Sequence, residues 1–353
     1  MDLFTGDTAA HAHEPLPESR PSGLTGIAAM AASSELALAP RDVECFDLPC
    51  RKVLNRCSSP RMPFDFTINP YRGCELSCVY CYARYTHEFL QLTPSRDFER
   101  KIYAKRGAAR ALARELVRHD RSRSIAIGTA TDPYQPLERR LELTRSILDE
   151  LARHEGLSLH VTTKSDLVVR DLDLMREIAR RNDFSVNLTI TTLDDELARA
   201  LEPRAPVPSR RVEAIRALSA GGIETHLLLA PILPWITDST ESLERVLRAA
   251  RQAGARAVHA QVLFLPEATR PTFFEWLERM RPGLVPRYRA LYERSNYLSR
   301  SFTEPILERV RRIERAIGFP GERAREPSDD AGPTGPGALP DVPGKGQLPL
   351  FGR

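Results

Sequence analysis

An α/β architecture, a parallel sheet curled into a partial (β/α)6 TIM-like barrel, follows from three features of the sequence. Short β-branched and apolar runs alternate with longer amphipathic stretches, and the alternation repeats about six times between Phe64 and Leu265. Glycine closes several of the amphipathic stretches, at Gly156, Gly221 and Gly254, where a helix stop is expected. Each strand candidate but the last runs into a polar or proline-containing loop before its helix, as right-handed βα crossovers require.

Taken in order, residues 1–60 are rich in Ala, Pro, Ser and Glu with little periodic apolar pattern, and read as a mobile N-terminal arm that orders near Val53 and Leu54. The core domain spans 61–300. Its strands are expected at 64–68, 124–129, 159–163, 186–192, 225–230 and 257–265, and its helices at 107–119, 137–154, 172–181, 209–220 and 240–253. A terminal helix at 301–318 precedes a tail, 319–353, whose Pro, Gly and charge content cannot bury a core, so it is expected to be flexible. Both termini are thus expected to be disordered. With 353 residues and 42% hydrophobic content the chain can bury an enzyme-sized core. The balance of 51 Lys+Arg against 47 Asp+Glu leaves +4, which permits an anionic partner without demanding one. All six cysteines lie before residue 82, unlike a disulfide framework, and a reducing cytoplasm fits that usage. The run "GIAAMAA" is too short for a signal core or a span, so no targeting or membrane segment is expected.

In such sheets ligands bind beyond the carboxyl ends of the strands, which singles out the residues just after each one. Immediately after the first strand the chain reads "NPYRGCELSCVYCYAR", with Cys74, Cys78 and Cys81 on one tight loop. Three thiolates select a soft metal, either zinc or an iron–sulfur cluster. A closed zinc site needs a fourth ligand, for which Cys57 or His87 is available. A cubane held by three cysteines instead leaves one iron open for an exogenous ligand.

The spacing Cys74-x3-Cys78-Val79-Tyr80-Cys81, with an aromatic before the last cysteine, resembles the signature of the radical S-adenosylmethionine (SAM) superfamily. The resemblance takes in the βα repeats, roughly residues 61 to 300. It implies a [4Fe–4S] cluster on the three cysteines whose open iron chelates SAM, and reductive cleavage of SAM to methionine and a 5′-deoxyadenosyl radical. It also implies an electron donor such as a flavodoxin or ferredoxin, and places Tyr80 near the adenine. Together with "GTATDPYQPLE" (128–138) and "TTKSDLVVRDLDL" (162–174), the cysteine segment resembles the group related to spore photoproduct lyase, an enzyme that reverses a thymine-dimer lesion in DNA. That likeness implies DNA as substrate and a role in DNA lesion repair or processing. Within the pattern Lys164 is the residue that would reach the SAM carboxylate.

Departures from the pattern matter equally. Thr131, Asp132 and Gln135 stand where many members carry a Gly-Gly-Glu segment that grips the methionine amine, and Asp132 also suits a helix N-cap. Thr189 and Thr191 alternate with apolar neighbours and are expected to point into the barrel. The lyase carries a hydrogen-returning cysteine past strand two, where this chain reads Gly128-Thr129-Ala130-Thr131; Tyr134 and Tyr297 are the candidates for that step here.

Three further segments carry expectations. Cys45, Cys50 and Cys57 lack the paired spacing of an auxiliary cluster and read as inert thiols on the arm. Residues 99–124 are basic on balance and could meet phosphates, although Arg with Glu at helical spacing is more often a solvated face. Gln347-Leu348-Pro349-Leu350-Phe351 resembles the bacterial sliding-clamp-binding peptide, with Gln347 as polar anchor, Leu348 beside it, and Leu350 and Phe351 as apolar inserts. Two other function classes remain open at this point: a radical SAM enzyme acting on RNA, protein or a small molecule, and a non-enzymatic zinc or DNA-binding accessory protein.

Overall fold

The computed structural model describes residues 24–39, 42–59 and 62–321. Among them are eleven strands: β1 (Glu35–Leu38), β2 (Glu44–Pro49), β3 (Leu54–Arg56), β4 (Phe66–Ile68), β5 (Tyr71–Arg72), β6 (Lys101–Arg106), β7 (Ile125–Ile127), β8 (Ser158–Thr163), β9 (Asp183–Thr189), β10 (Glu224–Ile232) and β11 (Ala257–Val262). The main sheet runs β11-β10-β9-β8-β7-β4-β3. Its six strands from β4 to β11 are all parallel to their neighbours, and β3 adds antiparallel to the β4 edge. The six strands expected from the sequence are these six, within a few residues at each end.

Strand alternation decides what each face does. One face carries Ile125, Ile127, Leu159, Val161, Val186, Leu188, Leu227 and Leu229, all at most 1% exposed, packed with Leu112, Ile147, Met175, Ile215 and Val246 from the helices. Burying each such side chain contributes about 1.5–3 kcal/mol, enough to fix the register of the sheet against its helices. The other face presents Thr67, Asn69, His160, Thr162, Ser185, Asn187, His226 and His259. The final helix, Arg300–Ile317, lays Ile306, Val310 and Ile313 against this same core beside the helix Thr240–Gln252.

Two expectations need correction. The described part of the N-terminal arm is structured: a helix (Gly26–Ala32) and strands β1 to β3 precede residue 60. Strand β2 pairs in parallel with β6, across 51 intervening residues of chain, in a second sheet ordered β1-β2-β6-β5. Its Cys45 and Leu48 are buried, and that contact, absent from any local pattern, is what orders the segment. The expected helix 137–154 is broken into Glu138–Leu141 and Leu143–Leu151 by Glu142, whose φ of 49° is left-handed. The buried Glu138 carboxylate accepts from Thr144 N (3.0 Å) and Arg145 N (3.2 Å), capping the second helix in place of continuous turns.

Among the described residues no helix is long and apolar enough to cross a membrane. Most of the expected tail, including Gln347 to Phe351, lies outside the described residues.

Candidate active site

The cysteine loop leaves β4 through Asn69, β5 and Gly73. Gly73 has φ +81°, and a Cβ there would lie 2.8–2.9 Å from Phe98 O, Lys101 O and Ile102 Cδ1, so only glycine passes this point without displacing the second sheet. Cys74 N donates to Phe98 O (3.1 Å), Val79 N to Leu201 O (2.9 Å) and Thr269 Oγ1 to Cys81 O (2.8 Å). The buried Arg84 donates to Cys78 O (3.3 Å) and pairs with Glu99 at 2.5 Å. Three distant segments therefore clamp one loop. Cys74 and Cys78 are each 7% exposed and Cys81 is partly buried. Burial is the largest influence on all three thiols; it lifts Cys78 to about 12 and holds Cys74 and Cys81 above the ordinary cysteine value.

The loop after β7 braces the cysteines from the other side. Thr131 Oγ1 donates to Gly73 O (2.7 Å), and the fully buried Gln135 accepts from Glu75 N (2.9 Å) while donating to Thr131 Oγ1 (3.1 Å). Asp132 ties this loop to the end of β8: its carboxylate accepts from Thr163 Oγ1 and Lys164 N, both at 2.7 Å, and from Tyr134 N at 2.9 Å. Burial raises the Asp132 pKa against the pull of those donors. Thr131, Asp132 and Gln135 are thus engaged in holding the cysteine loop.

Lys164 sits with its Nζ 5.8 Å from the centre of the Tyr80 ring. The Tyr80 hydroxyl meets Thr191 Oγ1 (3.2 Å) and donates to Glu202, which pairs with the buried Arg211. Arg211 also donates to Thr189 O at 3.2 Å. Thr189 and Thr191 are both buried, and it is the Thr191 hydroxyl that joins the network. Burial alone would lower Lys164 and raise Glu202, but charge at Cys78 and Glu202 holds the ammonium above its ordinary pKa, and Arg211 with Lys164 holds the carboxyl below its own. A partly buried cation beside the thiols is thereby kept charged. Glu202 and Arg211 were missed in the sequence. Glu202 ends a helix, Asp195–Leu201, that no expected element covered, and Arg211 lies in an Arg-rich helix where nothing marks one arginine as buried.

The polar face of the sheet continues into the barrel. His226 lies between Glu224 (Nε2 to Oε1, 2.9 Å) and His259 (Nδ1 to Nε2, 3.3 Å), and His160 meets Ser185 Oγ at 2.9 Å. These strand-borne histidines were likewise unmarked in the sequence. At the mouth, Tyr297 stacks on Phe264 with centroids 4.2 Å apart, and Phe264 lies 6.2 Å from Tyr82. Tyr134 is 1% exposed and belongs to the core packed against the sheet, so the two tyrosines considered for a radical step occupy different environments. His87, considered as a zinc ligand, is fully buried with Nε2 on Lys101 O (3.0 Å), and burial lowers its pKa to about 4. The segment 99–124 divides into β6 and the helix Ala108–Leu116, whose Ala108, Ala111, Leu112 and Leu116 are buried.

Comparison with known proteins gives three findings. A family model described as the radical SAM superfamily matches residues 68–250. An uncharacterized protein of Mycobacterium tuberculosis is 39% identical over 282 residues, covering 79% of this chain and 83% of the relative, and one of Methanocaldococcus jannaschii is 29% identical over 200 residues, covering 56% and 70%. Among solved structures, spore photoproduct lyase complexed with dinucleoside spore photoproduct superposes with a TM-score of 0.61 at 14% identity, covering 81% of this chain and 86% of the lyase. A point mutant of that lyase gives 0.60 at 15% identity over the same shares. At such identity the likeness is one of fold.

Proposed function

This chain belongs to the radical SAM superfamily, and from that premise we propose that it is an enzyme that cleaves SAM reductively on a [4Fe–4S] cluster held by Cys74, Cys78 and Cys81, and that it acts on DNA in lesion repair or processing. The observation that carries the reading is the convergence of two buried thiols and a third, partly buried one with Lys164 and the Tyr80–Glu202–Arg211 network at the carboxyl ends of parallel strands.

The donor set suits such a cluster. Thiols this deeply buried ionise only against a bound cationic centre. Among the described residues no three His, Cys or carboxylate side chains are arranged to hold a single metal ion. His87 is already committed to a backbone carbonyl. When bound, the reduced cluster supplies the electron that breaks the SAM sulfonium and yields the 5′-deoxyadenosyl radical.

The chain's own residues bind and orient. Lys164 offers a charged ammonium to the SAM carboxylate, and Glu202 with Arg211 fixes the Tyr80 ring beside it. Asp132 holds Lys164 by its backbone and so sets where that ammonium stands. The buried loop keeps water from the radical. For the substrate, the stacked Tyr297–Phe264 pair beside Tyr82 is a surface on which nucleobases would lie, and it supports the DNA reading given by the resemblance of the three motif segments.

Single-turnover assays of the reduced, SAM-loaded protein test the substrate: irradiated DNA is expected to be altered in step with SAM cleavage. Turnover confined to RNA, protein or small molecules would overturn the DNA assignment while leaving the cluster intact. The C-terminal peptide makes a second proposal, docking to a bacterial sliding clamp through Gln347, Leu348, Leu350 and Phe351. Deleting residues 347–353 is expected to abolish clamp binding with SAM cleavage unchanged; equal clamp affinity would contradict it.

A further inference from the structure

Beside the cysteine loop, on the face of the second sheet that also carries Leu48 and Tyr103, a buried lysine and a partly buried arginine stand together with no ion pair among the described residues. Arg72 on β5 stands opposite Tyr103 on β6, so Arg72, Tyr103 and Lys105 share one face and Arg72 and Lys105 are diagonal neighbours. Lys105 is 8% exposed. Arg72 is partly exposed, yet its Nε is buried with no hydrogen-bond partner. Covering them is the turn of helix that follows Cys81, Tyr82–Leu90, and from it the Tyr85 hydroxyl is also buried with no partner. The Arg72 Nε and the Tyr85 hydroxyl therefore lie buried with no hydrogen-bond partner among the described residues, next to the ammonium of Lys105. The nearest carboxylate acting on Lys105, Glu115, is taken up by Val53 N (2.7 Å) and Leu54 N (3.1 Å).

Such an arrangement is costly unless something negative completes it. Burial and the neighbouring Arg72 charge lower Lys105 to about 7, against the opposing influence of Cys50 and Glu115. The facing titratable groups on the packed elements are Tyr85 and His87 from the helical turn, Cys50 after β2, and Glu115 from the helix behind.

We propose that Arg72, Lys105 and Tyr85 form a binding site for a phosphate group, and that in this protein it anchors a backbone phosphate of the nucleic-acid substrate. A planar guanidinium fork, an ammonium and a hydroxyl match the charge and the several acceptor oxygens of a phosphate. The site also lies where a substrate anchor is useful: Tyr85 shares its helical turn with Tyr82, whose ring lies 6.2 Å from Phe264 of the aromatic stack. A strand held here by its phosphate would carry its bases toward the Tyr297–Phe264 stack. The nucleic-acid part of the inference rests on the DNA reading above; the phosphate chemistry does not.

The test uses full-length, cluster-loaded protein and three probes: a short labelled single-stranded DNA, a mononucleotide and inorganic phosphate. Arg72→Gln and Lys105→Met are each expected to weaken DNA binding about tenfold and to lower the log–log salt slope by about one, with Lys105→Arg close to wild type and substrate-free SAM cleavage unchanged. Unchanged DNA affinity and slope in both charge-removing variants would overturn the anchor. If the wild-type protein binds no DNA, the DNA reading fails separately, and thermal melts decide the site. Stabilisation of wild type by phosphate or mononucleotide that Lys105→Met loses supports it, and equal response in the two proteins sinks it.

Discussion

Two pairs of cations, each with one buried and one partly buried member, flank the same cysteine loop, and the structure treats them in opposite ways. Lys164 and Arg211 both feel the carboxylate of Glu202; Cys78 and Glu202 hold Lys164, and Glu202 holds Arg211, above the ordinary pKa despite burial. Arg72 and Lys105 share nothing acidic of their own, and burial depresses both. The contrast separates two uses of buried charge. The first pair has a carboxylate built in and keeps geometry whether or not a ligand is present; the second is incomplete until an anion arrives.

The strongest way to break the comparison is to unbalance the first pair. Glu202→Gln leaves Arg211 buried without its partner and is expected to destabilise the fold by about 3–5 kcal/mol in urea denaturation. A change below about 1 kcal/mol would mean that Arg211 finds compensation elsewhere, and the two pairs would no longer differ in kind.

The second pair should answer with the opposite sign. Lys105 titrates near 7 when folded and near the ordinary lysine value when unfolded, so the unfolded chain binds the extra proton between those limits. Its penalty is therefore complete below about pH 7 and relieved as pH rises through the window, with stability climbing by at most about 1.4 kcal/mol per pH unit. Lys105→Met is expected to be more stable than wild type at pH 7 and to lose that extra slope. Parallel stability–pH curves for the two proteins would show that Lys105 is not an uncompensated charge.

Ligand binding sharpens the difference further. Lys164→Met is expected to weaken SAM binding roughly 10- to 100-fold, the scale of one charge-assisted contact in a buried site, by calorimetry on the loaded protein. Lys105→Met should leave SAM affinity where it was. Smallest is Phe264→Ala, which removes one face of the aromatic stack and is expected to lower single-stranded DNA affinity about tenfold without altering SAM binding.

What could be read in the sequence divides along the same line. The six parallel strands were legible because β-branched runs such as "LHVTT" and "THLLLA" alternate with amphipathic helices, a local signal. The cysteine loop was legible because ligand spacing is written in consecutive residues. Strands β1 and β2 were not, because β2 is ordered by β6, whose own sequence "KIYAKR" sits within a basic stretch resembling a solvated surface, whereas β3 falls where the arm was expected to order, near Val53 and Leu54. For the same reason Lys105 looked like one more exposed cation, and Glu202 and Arg211 like ordinary helix charges. Burial of a charge is a property of the fold, set by which elements cover it, and no spacing rule records it.

The account rests on the three thiols, and one measurement addresses them directly. Wild-type protein and the Cys74→Ala, Cys78→Ala and Cys81→Ala variants are loaded anaerobically with iron and sulfide, reduced in the presence of SAM, and assayed for 5′-deoxyadenosine. Wild type is predicted to hold about four irons, the number in one cubane, and to release 5′-deoxyadenosine, while each variant releases essentially none. Equal 5′-deoxyadenosine from wild type and all three variants, or none from a fully loaded and reduced wild type, would contradict the central claim.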